Sequence, residues 1–152
     1  MEQMQDSIDY RQLVEEAGDA IIASDPQGVI VLWNAAAARI FGFSASEALG
    51  QNLDIIVPEK QRSRHWTGYD ASMASGTTRY GTTLLKVPAL HKNGQTLSIA
   101  FTVSLLKSAG KVTQIVAFVR DETARWSEER DLRRRIRALE EAVGQPGGAN
   151  NS

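Results

Sequence analysis

The sequence predicts an α+β fold: a five-stranded antiparallel sheet with helices on one face, plus flanking N-terminal and C-terminal helices. Three observations predict it. Two short β-rich runs, Ala20 to Ser24 and Val29 to Trp33, come first, and three longer strand-like runs follow at about 82–91, 96–106 and 112–120. Within each group the runs are joined by short turns, so neighbours pair antiparallel. The helical signals sit between the two groups instead of alternating with strands, which places helices on one side of a single sheet. A chain of 152 residues fits one domain plus an extension and buries a core without metal or disulfide staples.

Residues 4–17 read as an amphipathic helix with Ile8, Leu13 and Val14 on a weak apolar side, stopped by Gly18. Asp25-Pro26-Gln27-Gly28 separates the first two strands, with proline near the front of the turn and glycine at its end. Asn34 is placed to cap a helix from Ala35 to Phe41, whose four alanines favour that state, and Gly42 ends it. Ser44 and Glu47 have the spacing of a capping box for a second short helix closed by Gly50. Asn52 to Pro58 reads as apolar and extended, and Pro58 suits the first turn of a helix from about Glu59 to Ser75, ended by Gly76. Lys92-Asn93-Gly94 and Ser108-Ala109-Gly110 are the turns between the last three strands, and Pro88 marks the first of them as bulged or at an edge.

Residues 123–143 return to helix. Leu132, Ile136, Leu139 and Val143 are spaced four, three and four apart, an a/d seam over two heptads flanked by arginines and glutamates. An isolated helix of that length is marginal, so the seam calls for a partner. The organisation is therefore an N-terminal flanking helix (1–18), a globular domain (19–122), a coiled-coil helix (123–143) and a polar, glycine-rich tail (144–152) read as disordered.

Hydrophobic residues at 42% and charged residues at 23% fit a soluble globular protein, and a net charge of −1 gives no global pull toward nucleic acid or an anionic membrane. The absence of cysteine excludes disulfides, thiolate metal sites, cysteine nucleophiles and cysteinyl-flavin photochemistry. The start of the chain is polar and acidic, unlike a signal peptide, and no apolar run approaches the roughly 20 residues of a membrane span; the expected compartment is the cytoplasm. There is no phosphate-binding glycine loop, nucleophile elbow, HExxH motif or paired carboxylates, and the chain is read as no enzyme. From the residues alone, His65 is a helix-packing or surface histidine, His91 a solvated turn residue, Trp33 a core anchor, and Trp66 a side chain that packs on a neighbouring element.

The order of elements, with Asp25-Pro26-Gln27-Gly28 before Val29-Ile30-Val31-Leu32-Trp33-Asn34, the segment Ala36 to Gly50, the Lys92-Asn93-Gly94 turn and the Arg120-Asp121-Glu122-Thr123 junction, resembles PAS sensory domains over about residues 10–125. Asn52 to His65, ending in Arg62-Ser63-Arg64-His65, resembles the haem-bearing helix of the FixL-type oxygen-sensing PAS domains of histidine kinases. That resemblance implies haem b with His65 as the iron ligand, a diatomic gas on its open face, Tyr69 one turn along the same side, and a basic partner for a propionate at Arg79. The family's second propionate residue falls on Ala71. The arginine that hydrogen-bonds oxygen in that family falls on Leu85, which donates nothing, so CO or NO is the expected gas unless Tyr80 or Arg79 supplies the donor. Leu85, Ile99, Phe101, Val103 and Val116 are the strand residues expected to wall the pocket, although alternation forbids all five from facing it together. The implied output is a homodimer through Leu132, Ile136, Leu139 and Val143 acting on a downstream signalling partner, with no nucleic acid and no membrane. Two other readings stay open: a cofactor-free PAS dimerisation module, and a PAS domain holding a small organic ligand.

Overall fold

The computed structural model describes residues 7–78 and 83–144. Five strands, β1 (Ala20–Ser24), β2 (Ile30–Trp33), β3 (Leu85–Leu90), β4 (Thr96–Ser108) and β5 (Lys111–Asp121), pair antiparallel throughout in the order β2-β1-β5-β4-β3. Between β2 and β3 the chain forms α2 (Ala35–Phe41), α3 (Ala45–Ala48), 3-10 turns at Leu53–Ile56 and Glu59–Gln61, and α4 (Arg62–Ser75). In sequence, α1 (Tyr10–Glu16) comes before the sheet and α5 (Thr123–Gly144) after it. The chain divides between Asp121 and Glu122 into two compact units. Among the described residues no helix is long and apolar enough to cross a membrane.

Alternation along the strands, interrupted by a register shift in the β1–β2 pair, assigns the faces of the sheet. Ala20 and Ile22 of β1, Ile30 and Trp33 of β2, Ala89 of β3, Ile99 of β4, and Ile115 and Val119 of β5 share a core with Ala36, Ala37 and Phe41 of α2, Leu53, and Tyr69 of α4. The small alanines let α2 lie close on the sheet, and Phe41 and Ile30 are the largest fully buried side chains. Trp33 anchors this end of the core as expected. Its ring packs on Phe41 at 5.7 Å and Phe43 at 6.4 Å, and its indole N–H donates to the Phe43 carbonyl at 2.9 Å.

Asn34 caps α2 and does more. It is buried, and its side chain makes four hydrogen bonds. Oδ1 accepts from the Ala37 and Ile21 backbone N–H groups at 3.0 and 2.9 Å. Nδ2 donates to the carbonyls of Val14 and Asp19 at 2.8 and 3.1 Å. One amide thus joins the end of α1, the start of β1 and the start of α2.

Several boundaries differ from expectation for local reasons. The segment read as extended from Asn52 to Pro58 instead makes a 3-10 turn, because Asn52 accepts from the Asp54 N–H at 2.8 Å and starts a turn there. The helix expected from Glu59 opens as a 3-10 turn and becomes α-helical only at Arg62. The first helix begins at Tyr10, where Asp9 caps it by accepting from the Gln12 N–H, so Ile8 lies outside it; Ile8 and Leu13 are exposed and α1 buries no residue. Residues 4–6 and Thr82 lie outside the described residues. Pro88 sits on β3, an edge strand. At the β4–β5 turn, Ala109 and Gly110 both take positive φ, 53° and 81°, the geometry that closes a two-residue hairpin.

Asn34→Ala leaves two donors and two acceptors without this partner and is expected to cost about 2–4 kcal/mol in urea unfolding. Asn34→Asp, similar in size, is expected to be nearly as harmful, because it sets a carboxylate against the two carbonyls that Nδ2 now serves.

Candidate ligand-binding site

His65 lies in the first turn of α4, a helix that buries only Tyr69. Tyr69, four residues on, occupies the same flank, and the two rings stand 5.8 Å apart. The hydroxyl of Tyr69 is already engaged: it donates to the Asp25 carbonyl and accepts from Ser24 Oγ at 3.0 Å. Burial pushes its pKa up, so it remains a protonated donor. Tyr69 therefore ties α4 to the end of β1, and it is its ring that it presents to His65.

Trp66 performs the second tie. Its indole N–H donates to Asp54 Oδ1 at 2.7 Å, and its ring meets His65 edge-on at 4.6 Å and Tyr69 at 4.9 Å. It also covers the first hairpin. Gly28 has φ +83°, and a Cβ there would overlap the Trp66 ring. The expectation that Trp66 packs on a neighbouring element holds, but its contact with His65 was not foreseen. Nothing in the local sequence signals it, because Gly28 also satisfies a turn.

His65 is half-buried between these rings. Among the described residues its Nδ1 is the buried side-chain polar atom with no hydrogen-bond partner. Burial lowers its pKa from the usual 6.5, and the Asp54 carboxylate only partly opposes this. The ring is consequently biased to the neutral form, which coordinates metals.

The strand register sorts the other expected wall residues. Leu85 pairs with Phe101, Phe101 with Val119, and Val103 with Ala117. Leu85, Ile99, Phe101 and Val103 thereby share the helix-side face, with Ile99 buried and the other three half-buried. Val116 does not join them. It pairs with Ser104 and Ala23, one residue out of phase, and lies on the opposite face of the sheet. Arg79 and Tyr80 lie outside the described residues. Ala71 is exposed on α4. His91 is a correction: it is half-buried, its ring lies over Gly42, and its Nδ1 accepts from the Asn93 N–H at 3.0 Å. An open cleft of about 750 Å³ is lined by Pro58, Glu59, Lys60, Gln61, Pro88 and Thr96, none of them an expected site residue.

A family model described as the PAS fold matches residues 8–121. The sensor protein FixL of Bradyrhizobium diazoefficiens is 34% identical over 121 residues, covering 74% of this chain and 22% of its own length. The oxygen sensor protein DosP of Escherichia coli is 24% identical over 135 residues, covering 89% of this chain and 17% of its own. The chain thus spans less than a quarter of these curated relatives. Among solved structures, the PAS domain of a protein from Colwellia psychrerythraea superposes with a TM-score of 0.66 at 20% identity, covering 76% of this chain and 95% of that one. An RNA-binding light-oxygen-voltage receptor superposes at 0.67 and 21% identity, covering 84% of this chain and 36% of that one. These structures share the fold.

Gly28→Ala forces Trp66 off the hairpin and strains a positive φ, and is expected to cost about 2 kcal/mol or more in thermal unfolding; adding Trp66→Leu should recover part of the loss. The lowered pKa of His65 has a definite sign. Below pH 6.5 the unfolded chain takes up a proton that folded His65 resists, so stability falls as pH drops from 6.5 toward the folded value. Urea midpoints at pH 7.5 and 5.5 should therefore separate more for the wild-type protein than for His65→Phe.

Proposed function

The chain belongs to the PAS family, and from that premise we propose that it is a haem-based gas-sensing PAS domain with His65 as the iron ligand. The observation that carries this reading is the imidazole itself: half-buried in the first turn of α4, with a buried nitrogen lacking a partner and a pKa that burial lowers. Two further features support it. The helix-side face keeps Leu85, Phe101 and Val103 only half-buried, apolar surface suited to a flat, greasy ring. The run from Asn52 to His65 resembles the haem-bearing helix of FixL-type sensors, and a FixL sensor and an oxygen sensor are among the relatives.

A haem held there would supply an iron with one position open to a diatomic gas. The protein's own part is to hold the imidazole. Tyr69 fixes α4 on β1, and Trp66, hydrogen-bonded to Asp54 and seated on Gly28, limits how the His65 ring can turn. Leu85 offers no hydrogen-bond donor to a polarised ligand, which favours CO or NO over oxygen. The output is a dimer through Leu132, Ile136, Leu139 and Val143, working on a partner or an effector domain.

The test is the visible spectrum of protein reconstituted with haem, beside His65→Ala. A sharp Soret band that moves on reduction and on CO addition, and that is lost in the variant, is the expected result. A band indifferent to the substitution, or none, overturns the proposal and leaves a cofactor-free module or one with an organic ligand. Leu85→Arg restores a donor and should raise oxygen affinity about tenfold relative to CO, measured by gas titration of the reduced protein.

A further inference from the structure

The sheet has two edges, and the chain treats them differently. β2 is one of them. The start of this edge is covered by the chain itself: the Ile30 N–H donates to the Gln51 carbonyl at 2.8 Å, the Gly50 N–H to the Ile30 carbonyl at 2.9 Å, and the Leu53 N–H to the Gly28 carbonyl at 3.0 Å. β3 is the other edge, and among the described residues no strand pairs with its outer side. Exposed strand edges are templates for another chain unless something blunts them.

Hydrogen bonds at the β3–β4 turn fix which residues of β3 face that open side. The His91 N–H donates toward β4, to the Gln95 carbonyl at 2.9 Å, and the Lys92 N–H donates the other way, to the Phe41 carbonyl at 2.9 Å. Antiparallel pairing alternates residue by residue. Leu85, Val87 and Ala89 therefore bond to β4 as His91 does, and Lys86, Pro88 and Leu90 turn their backbone groups outward as Lys92 does. The N–H that Pro88 lacks is thus one that would point out of the sheet, and a ring carbon stands in its place.

Apart from that residue, the strand is well suited to pair with a copy of itself. Residues 84–90 are apolar except at Lys86, and Leu84, Lys86, Val87 and Pro88 are exposed. Short apolar segments free of proline are the ones that associate in this way. Space is present as well, because Pro88 lines the open cleft it shares with Pro58 to Gln61. A two-fold antiparallel pair presents the same edge on both copies. In any register that crosses position 88, each proline removes one interstrand hydrogen bond and leaves the carbonyl opposite it unpaired. We propose that the outer edge of β3 is a latent self-association surface for a second copy of this chain, and that Pro88 is the residue that keeps it closed.

The test replaces the proline in the full-length chain and follows the mass by sedimentation. Wild type is the reference, so any association through α5 cancels from the comparison. Pro88→Val and Pro88→Thr should both approach about twice the wild-type mass as concentration rises. Threonine restores the N–H with a hydroxyl in place of a methyl, which separates the missing donor from added apolar surface. Moving the proline two positions along the same outward row, in the double variant Lys86→Pro with Pro88→Val, should return the mass to that of wild type. Thermal unfolding reports whether each variant is folded, and either single variant suffices. Folded variants that keep the wild-type mass at every concentration overturn the proposal. Association that the shifted proline leaves untouched does so too, because it runs through another surface. Failure of both single variants to fold assigns Pro88 to the stability of β3 and likewise overturns it. None of these outcomes touches the haem reading, which the His65 spectrum tests separately.

Discussion

The fold hangs on the side-chain amide of Asn34. An asparagine in a dry core is costly unless both ends of the amide are satisfied. Here Oδ1 serves one helix start and one strand, and Nδ2 serves the carbonyls of Val14 and Asp19. Such geometry permits a single relative placement of α1, β1 and α2. Once those are set, Ala36 and Ala37 sit against the sheet, Phe41 reaches Trp33, and the chain is delivered to the turns that lead into α4.

α4 is attached more sparingly. It has one buried residue and three polar ties: Tyr69 to the end of β1, Trp66 to Asp54, and Arg62 to the carbonyls of Val57 and Asp54. A helix held by a few discrete bonds, with half-buried apolar strand residues on the sheet's helix-side face, is the part of such a domain best able to accept a ligand and to move when it does. His65 packs against two of these ties, Trp66 and Tyr69, so a change in its environment acts on the helix where its attachment is concentrated.

Much of the fold was legible because its signals are local. β1 and α2 fall on the residues that alternation and capping assign to them, the Ser44–Glu47 capping box forms, and Gly42 and Gly76 end their helices in the left-handed conformation. Departures arise where a short polar side chain redirects the backbone, as Asn52 and Asp9 do. Of the candidate site, His65 was singled out through resemblance, and period two showed only that Leu85, Ile99, Phe101, Val103 and Val116 could not all share one face; the register sorts them. Val116 was misplaced because a valine on a strand looks equally suited to either face, and only the pairing register decides. The Trp66–Gly28–Asp54 arrangement joins residues 12 to 38 positions apart and has no local signature.

The contact between Gly28 and Trp66 also restricts how the sequence can vary. The ring occupies the volume that any larger residue at position 28 would need, and the backbone there has a sign that only glycine adopts freely. The two sites therefore cannot drift independently. A descendant of this chain that keeps a broad aromatic ring at 66 is confined to glycine at 28, whereas one that first shrinks position 66 removes the overlap, keeps the backbone strain at 28, and gives up the wall beside His65. The sites form an ordered pair in which the helix must change before the hairpin, and the record of that order would be written in the site's own capacity to hold a ligand.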